Sequence, residues 1–156
     1  MDKHLRTAAP FIGVFAAGIV GMLFVGQSVG IWYANLNLPP FTPPTVAFPV
    51  VWTFLYLITA TACAIVWRKE PQNDHTEGWV RYFFVQLFIN AGWVIFFFGF
   101  HSITVAFVDN FILVFIVLGL TASAWEIDRT VTYLMLPYLL WVVFALYLTM
   151  EIWSLN

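Results

Sequence analysis

Charge is what this chain has least of. Only 9% of its 156 residues are Asp, Glu, Lys or Arg, against about 25% in a soluble domain. So few charges cannot cover a surface that faces water. Six Lys and Arg against eight Asp and Glu leave a formal net charge of −2, which excludes a basic surface for nucleic acid as a partner. A lone cysteine, Cys63, excludes an intrachain disulfide and a cysteine-built zinc site. There is no G-x-S-x-G, P-loop, paired-carboxylate or H-E-x-x-H arrangement, so hydrolysis and phosphoryl transfer lack machinery. His4, His75 and His101 form no metal-ligand spacing, so neither a metal nor a cofactor is expected. What is present is apolar: 62% of the chain, with 20% aromatic. Such a composition belongs in a bilayer.

The charge-free runs locate the spans. No Asp, Glu, Lys or Arg occurs over 7–67, 82–108, 110–125 or 130–150. A helix crosses the hydrocarbon core with about 20 apolar residues, so the first run is long enough for two crossings. The expectation is an all-α integral membrane bundle of five transmembrane helices in one domain, 1–156. The helices are placed at about 8–27, 46–67, 79–98, 104–124 and 132–153, with a Pro-rich lid loop at 28–45. Strands are not expected, because the apolar runs are continuous rather than alternating. An odd number of spans argues against inverted-repeat halves.

Five crossings put the amino end and the 68–81 and 125–131 connections on one side. Lys3, Arg6, Arg68, Lys69, Arg81 and Arg129 all fall there. The positive-inside rule then puts the amino terminus in the cytoplasm of a bacterial cell membrane. A cleaved leader is the competing reading of residues 1–27, but its apolar stretch exceeds the usual 7–15-residue core.

The loop from Trp32 to Pro44 is stiffened by Pro39, Pro40, Pro43 and Pro44. Its aromatic, uncharged composition suits a lid across the bundle mouth, and equally an anchor at headgroup level. This stretch resembles the W-Y-x-x-L-x-K-P-x-W-x-P-P loop of the TspO/MBR family, the translocator proteins or peripheral-type benzodiazepine receptors. Further matches follow in order: Pro49-Val50-Val51-Trp52-Thr53-Phe54-Leu55-Tyr56, then Gln86-Leu87-Phe88-Ile89-Asn90-Ala91-Gly92-Trp93 with Phe97-Phe98-Gly99. Asp109 comes next, then Pro137-Tyr138-Leu139-Leu140-Trp141-Val142-Val143-Phe144-Ala145. The resemblance spans essentially the whole chain. It departs at Leu38, where the family usually has Lys, and at Phe41, where it often has Trp. No basic residue follows Arg129, and Met150 stands where the sterol-recognition pattern of animal members has Tyr.

Spacing and depth mark candidate site residues. Gln86, Asn90, Trp93 and Phe97 lie at i, i+4, i+7 and i+11 on one face of the third helix. Tyr138, Trp141, Ala145 and Leu148 share a face of the fifth; Pro49, Trp52 and Tyr56 form a shorter stripe on the second. Amides in hydrocarbon must face protein or water, whereas aromatics need not. At about 1.5 Å per residue, Trp52 and Asp109 lie roughly 8–9 Å inside the loop-bearing face and Asn90 roughly 12 Å. An ionisable residue in a span is a candidate site residue by default, with structural pairing or snorkelling as its alternatives.

The expected ligand site therefore has Trp52, Trp93 and Trp141 as aromatic walls, with Tyr56 and Tyr138 beside them. Gln86, Asn90 and Asp109 set orientation; Ala145 and Leu148 leave space; Trp32, Tyr33 and Pro44 belong to the lid. The resemblance implies a receptor for porphyrin (protoporphyrin IX) or another flat apolar small molecule, with sterols and benzodiazepine-type compounds among the family's ligands. It also implies a homodimer, and transport or stress regulation as roles. An enzymatic alternative is light- and oxygen-dependent porphyrin breakdown, with Trp52 and Trp141 as candidate catalytic residues.

Overall fold

The computed structural model describes residues 3–69 and 73–156. Five helices are long and apolar enough to cross a bilayer, and among the described residues there is no strand. α1 is Lys3–Ser28, α2 Ala47–Arg68, α3 Asp74–Val94, α4 Ile103–Ile127 and α5 Arg129–Leu155. Residues 1, 2 and 70–72, which the sequence reading assigns to the amino end and the 68–81 connection, lie outside the described residues.

α3 and α5 outrun their hydrophobic segments where local chemistry can start them. α3 begins at Asp74, five residues before its apolar run, because Asn73 and Thr76 cap each other reciprocally. Asp74 and Glu77 in its first turn also favour the positive end of the helix dipole. α5 begins at Arg129 because the Asp128 carboxylate accepts from the Thr130 N–H at 2.9 Å. The connection between α4 and α5 thus shrinks from the expected 125–131 to Asp128 alone. Pro49 falls in the first turn of α2, where its missing N–H costs no helical hydrogen bond. α3 runs into a π-helical turn, Ile95–Gly99, closed by Phe100 N–H donating to the Ile95 carbonyl at 2.9 Å.

Contacts between the helices close a ring in the order α1, α2, α5, α4, α3 and back to α1. α2 and α3 also touch, inside that ring. Arg6 donates to the Trp67 carbonyl, Lys69 to Asp128, and the Trp79 indole to the Leu120 carbonyl. These bonds bring the start of α1, the end of α2, the start of α3 and the α4–α5 junction to one end of the bundle. All six Lys and Arg lie at or near that end.

The opposite end carries the 28–45 loop. Within it Tyr33–Asn35 forms a 3₁₀ turn. One apolar cluster around Phe83, Met135 and Tyr138 fills the basic half, and another around Phe97, Phe98, Ala106 and Leu148 fills the loop half. Outward-facing Phe15, Phe54, Phe88, Phe115 and Leu140 are each more than half exposed. A belt this apolar is stable only against lipid.

Candidate functional site

At the loop end a cavity of about 560 Å³ opens between α1, α2, α3 and α5. That is within the range of small-molecule sites. Its wall is overwhelmingly apolar. Among the predicted site residues, Tyr33, Trp52, Tyr56, Asn90, Trp93 and Leu148 line it. The π turn contributes Phe97 and Phe98, whose rings meet edge to face at 4.9 Å. Such π turns are frequent at functional sites.

A directed chain of hydrogen bonds fixes the floor. The Tyr56 hydroxyl donates to Asn90 Oδ1 at 3.1 Å, and Asn90 Nδ2 donates to the Tyr138 hydroxyl at 3.5 Å. Tyr138 in turn donates to Gln86 Oε1 at 2.6 Å. This chain ties α2, α3 and α5 together at one level. Gln86 and Tyr138 are fully buried behind the wall, holding Asn90 rather than facing the cavity. Trp52 leans on both tyrosines, 5.4 Å from the Tyr56 ring and 6.3 Å from that of Tyr138.

Trp93 stacks on Phe97 at 5.3 Å, and its indole Nε1 is buried with no hydrogen-bond partner among the described residues. The indole thus offers the cavity its ring, while its N–H is turned into the packed wall.

The lid is held from two sides. Trp32 stacks on His101 at 4.5 Å and meets Phe97 edge to face. Trp32 therefore braces the loop from behind while Tyr33 supplies the wall. Ser28 donates to the Phe98 carbonyl and also meets His101 Nε2 at 3.1 Å. His101 has a φ of 53°, a left-handed conformation that non-glycine residues rarely adopt; it turns the chain between the π turn and α4. Burial pushes the Tyr33 phenol above its ordinary pKa, so it stays protonated. On the far side Asn37 and Asn156 clasp each other: Asn37 N–H donates to Asn156 Oδ1 at 2.9 Å, and Asn156 Nδ2 to the Asn37 carbonyl at 3.1 Å.

Other predicted residues stand off the wall. Trp141 packs against Phe48 and Phe144, its buried Nε1 without a hydrogen-bond partner among the described residues. Ala145 lies one turn before Thr149, accepting its hydroxyl at 2.8 Å; Thr149 and Ile152 line the cavity in its place. Pro44 is exposed and its neighbour Thr45 lines the mouth. Asp109 faces α3, not the cavity: its Oδ1 lies 3.0 Å from where a Cβ on Gly92 would stand. Its Oδ2 is buried without a partner among the described residues. No described residue of α4 reaches the wall.

The fourth side comes instead from α1, through Gly18, Gly21, Met22, Val25 and Gly26. Nothing lies within 4 Å of a Cβ built on Gly21 or Gly26. The glycines leave room that side chains would occupy, and their spacing was the available signal.

Five spanning helices around an apolar cavity define an integral membrane protein with a small-molecule-sized site. The sequence matches the TspO/MBR family over residues 10–154. It is 38% identical to the tryptophan-rich protein TspO of Chlorobaculum tepidum, covering 100% of this chain and 99% of that protein. It is 36% identical to the tryptophan-rich protein TspO of Archaeoglobus fulgidus, over 97% of each. The translocator protein of Ovis aries is 31% identical, over 89% of this chain and 83% of that one. The chain belongs to the TspO/MBR family.

Proposed function

We propose that this protein is a membrane receptor for tetrapyrroles of the protoporphyrin IX type. Related flat apolar molecules, sterols and benzodiazepine-type compounds included, would occupy the same cavity. The observation that carries the reading is the cavity itself: aromatic on most sides, with Tyr33, Tyr56, Asn90 and Thr149 as polar residues of its lining. A flat ring system gains stacking on Trp52, Trp93 and Phe97. Asp109 and Trp141, behind the wall, set the packing of α4 and α5 against it; Gln86 and Tyr138 hold Asn90; Ala145 leaves α5 room to approach. Trp32, Tyr33 and Pro44 keep the loop closed over the bound ligand.

The reading is tested by titrating protoporphyrin IX into purified protein and following tryptophan fluorescence. Saturable quenching is expected, weakened in Trp93→Phe and lost when Leu148→Trp fills the cavity. Unchanged titration in both folded variants overturns the site.

A second reading, porphyrin breakdown driven by light and oxygen, is favoured by the position of Trp52 on the wall, where its indole would contact an excited porphyrin. Replacing Trp52 and Trp141 together by Phe should then abolish product while binding persists; undiminished turnover excludes it.

The charge asymmetry supports an amino terminus in the cytoplasm of a bacterial cell membrane. The family resemblance supports a homodimer. Protease protection in oriented vesicles and sedimentation in detergent check these two points.

A further inference from the structure

The end of the bundle away from the cavity carries a second recess, between α1 and α2. Lys3, His4 and Arg68 border a hollow of about 600 Å³ whose floor is Ala8 and Phe11. A neighbouring hollow of about 480 Å³ shares Thr7, Phe11 and Arg68 with it. The second adds Thr61 and Ile65 to the floor and the Lys69–Asp128 pair to the rim. The two are one groove.

Its polarity is graded along the membrane normal. On α2, Arg68, Ile65 and Thr61 lie at i, i−3 and i−7, so the face descends about 10 Å from a cation into hydrocarbon. On α1, His4, Ala8 and Phe11 lie at i, i+4 and i+7, and descend alongside in the same direction. Among the described residues that border the groove the one acid is Asp128, bonded to Lys69 at 3.1 Å. Lys3 and Arg68 therefore add positive charge to the described lining beyond that pair. A rim of cations above an apolar trough has the shape and charge of an amphiphile with an anionic head.

We propose that this groove binds one anionic phospholipid. Its phosphate sits between Lys3 and Arg68, and the start of an acyl chain lies along Phe11, Ile65 and Thr61. Basic recesses between spanning helices suit such headgroups, each Lys or Arg adding to the attraction within a Debye length of the surface. A free phosphate would use the cations and leave the trough empty. A zwitterionic lipid would fill the trough and gain little from the cations.

Native mass spectrometry of the full chain released from mixed nanodiscs reads the occupant. One phosphatidylglycerol per chain is expected to survive where phosphatidylcholine does not, in the unaltered protein. The double variant Lys3→Ala, Arg68→Ala should lower retention about tenfold. Ile65→Trp, which blocks the trough with the charges intact, should lower it too. Arg129→Ala, a basic residue on the same end stacked over Trp125, should leave it unchanged. Helical circular dichroism and protoporphyrin titration confirm that each variant is folded. Equal retention of phosphatidylcholine by the unaltered protein overturns the proposal, as does an equal loss with Arg129→Ala. Displacement of the lipid by inorganic phosphate also overturns it, making the groove a free-anion site.

Discussion

The Tyr56 hydroxyl donates to Asn90 Oδ1 at 3.1 Å, joining α2 to α3 on the wall of the cavity. Asn90 passes the chain on to Tyr138 and Gln86, so one amide organises three helices. Hydrogen bonds between spanning helices contribute on average about 0.6 kcal/mol each, and an unsatisfied buried amide costs about 1–3 kcal/mol. Tyr56→Phe should therefore be mild, lowering stability by under about 1 kcal/mol. Asn90→Leu breaks both links and leaves the Tyr138 and Tyr56 hydroxyls to find other partners. It should cost roughly 2 kcal/mol and weaken porphyrin binding more than Tyr56→Phe does. Thermal unfolding in detergent, paired with fluorescence titration, ranks the two; equal effects would deny Asn90 its organising place.

The glycines of α1 give a steric test. Gly21 faces open cavity, whereas a Cβ on Gly99 would stand 2.8 Å from the Phe24 ring. Gly21→Phe should lower protoporphyrin affinity at least about tenfold, a change of roughly 1.4 kcal/mol, with little loss of stability. Gly99→Ala should do the reverse, lowering the melting temperature with a smaller effect on affinity. Ala145→Phe, on a residue off the wall, should reduce affinity less than Gly21→Phe. If Ala145→Phe is the more damaging, the cavity extends further toward α5 than its lining residues indicate.

The sequence and the structure agree where hydrophobicity alone decides. Five spans were legible because charge-free runs of membrane length can do little else in water or lipid. Helix ends were less so: the first turn of α3 is polar, and only the Asn73–Thr76 spacing marks it. Trp52, Asn90 and Leu148, which the depth argument groups in the loop half, line one cavity. Rotation was not legible. On α4 both the lipid face and the buried face are apolar, so nothing in the pattern tells which way Asp109 points. Its place in the α3–α4 interface is set by Gly92, whose missing side chain admits the carboxylate. The same ambiguity hid α1, whose contribution to the wall is an absence of side chains.

The clasp between Asn37 and Asn156 should govern how fast a ligand comes and goes. Three hydrogen bonds link Asn37 to Asn156 and the Leu155 carbonyl, and Phe41 stacks on Tyr147 at 5.2 Å nearby. These contacts tie the loop to the end of α5 without touching the cavity. Asn156→Ala removes the side-chain partners on α5. Association and dissociation should both speed up, by about threefold to tenfold, while equilibrium affinity changes little, as expected for a gate. Stopped-flow fluorescence checks this; unchanged association and dissociation rates would place Asn156 outside the gating path.

At the basic end, Asp128 serves both as the cap of α5 and as the partner of Lys69. The hydrogen bond from Lys69, helped by the Thr130 N–H, holds its carboxyl below the ordinary carboxylate pKa. A group whose pKa is lowered on folding stabilises the fold fully above its unfolded value of about 3.9. That contribution drains away as pH falls through the lower, folded value. The pair is solvent-exposed, so its ionic part is small and screened, and the cap supplies most of about 1 kcal/mol. Asp128→Ala should lower the melting temperature by roughly 2–4 °C near neutral pH. The deficit should narrow once acid protonates Asp128 in the unaltered protein. Asp128→Asn, which keeps the cap and removes the charge, should lose less than half as much. A deficit that stays constant from neutral pH down to strongly acid conditions would show that the carboxylate charge plays no part at this junction.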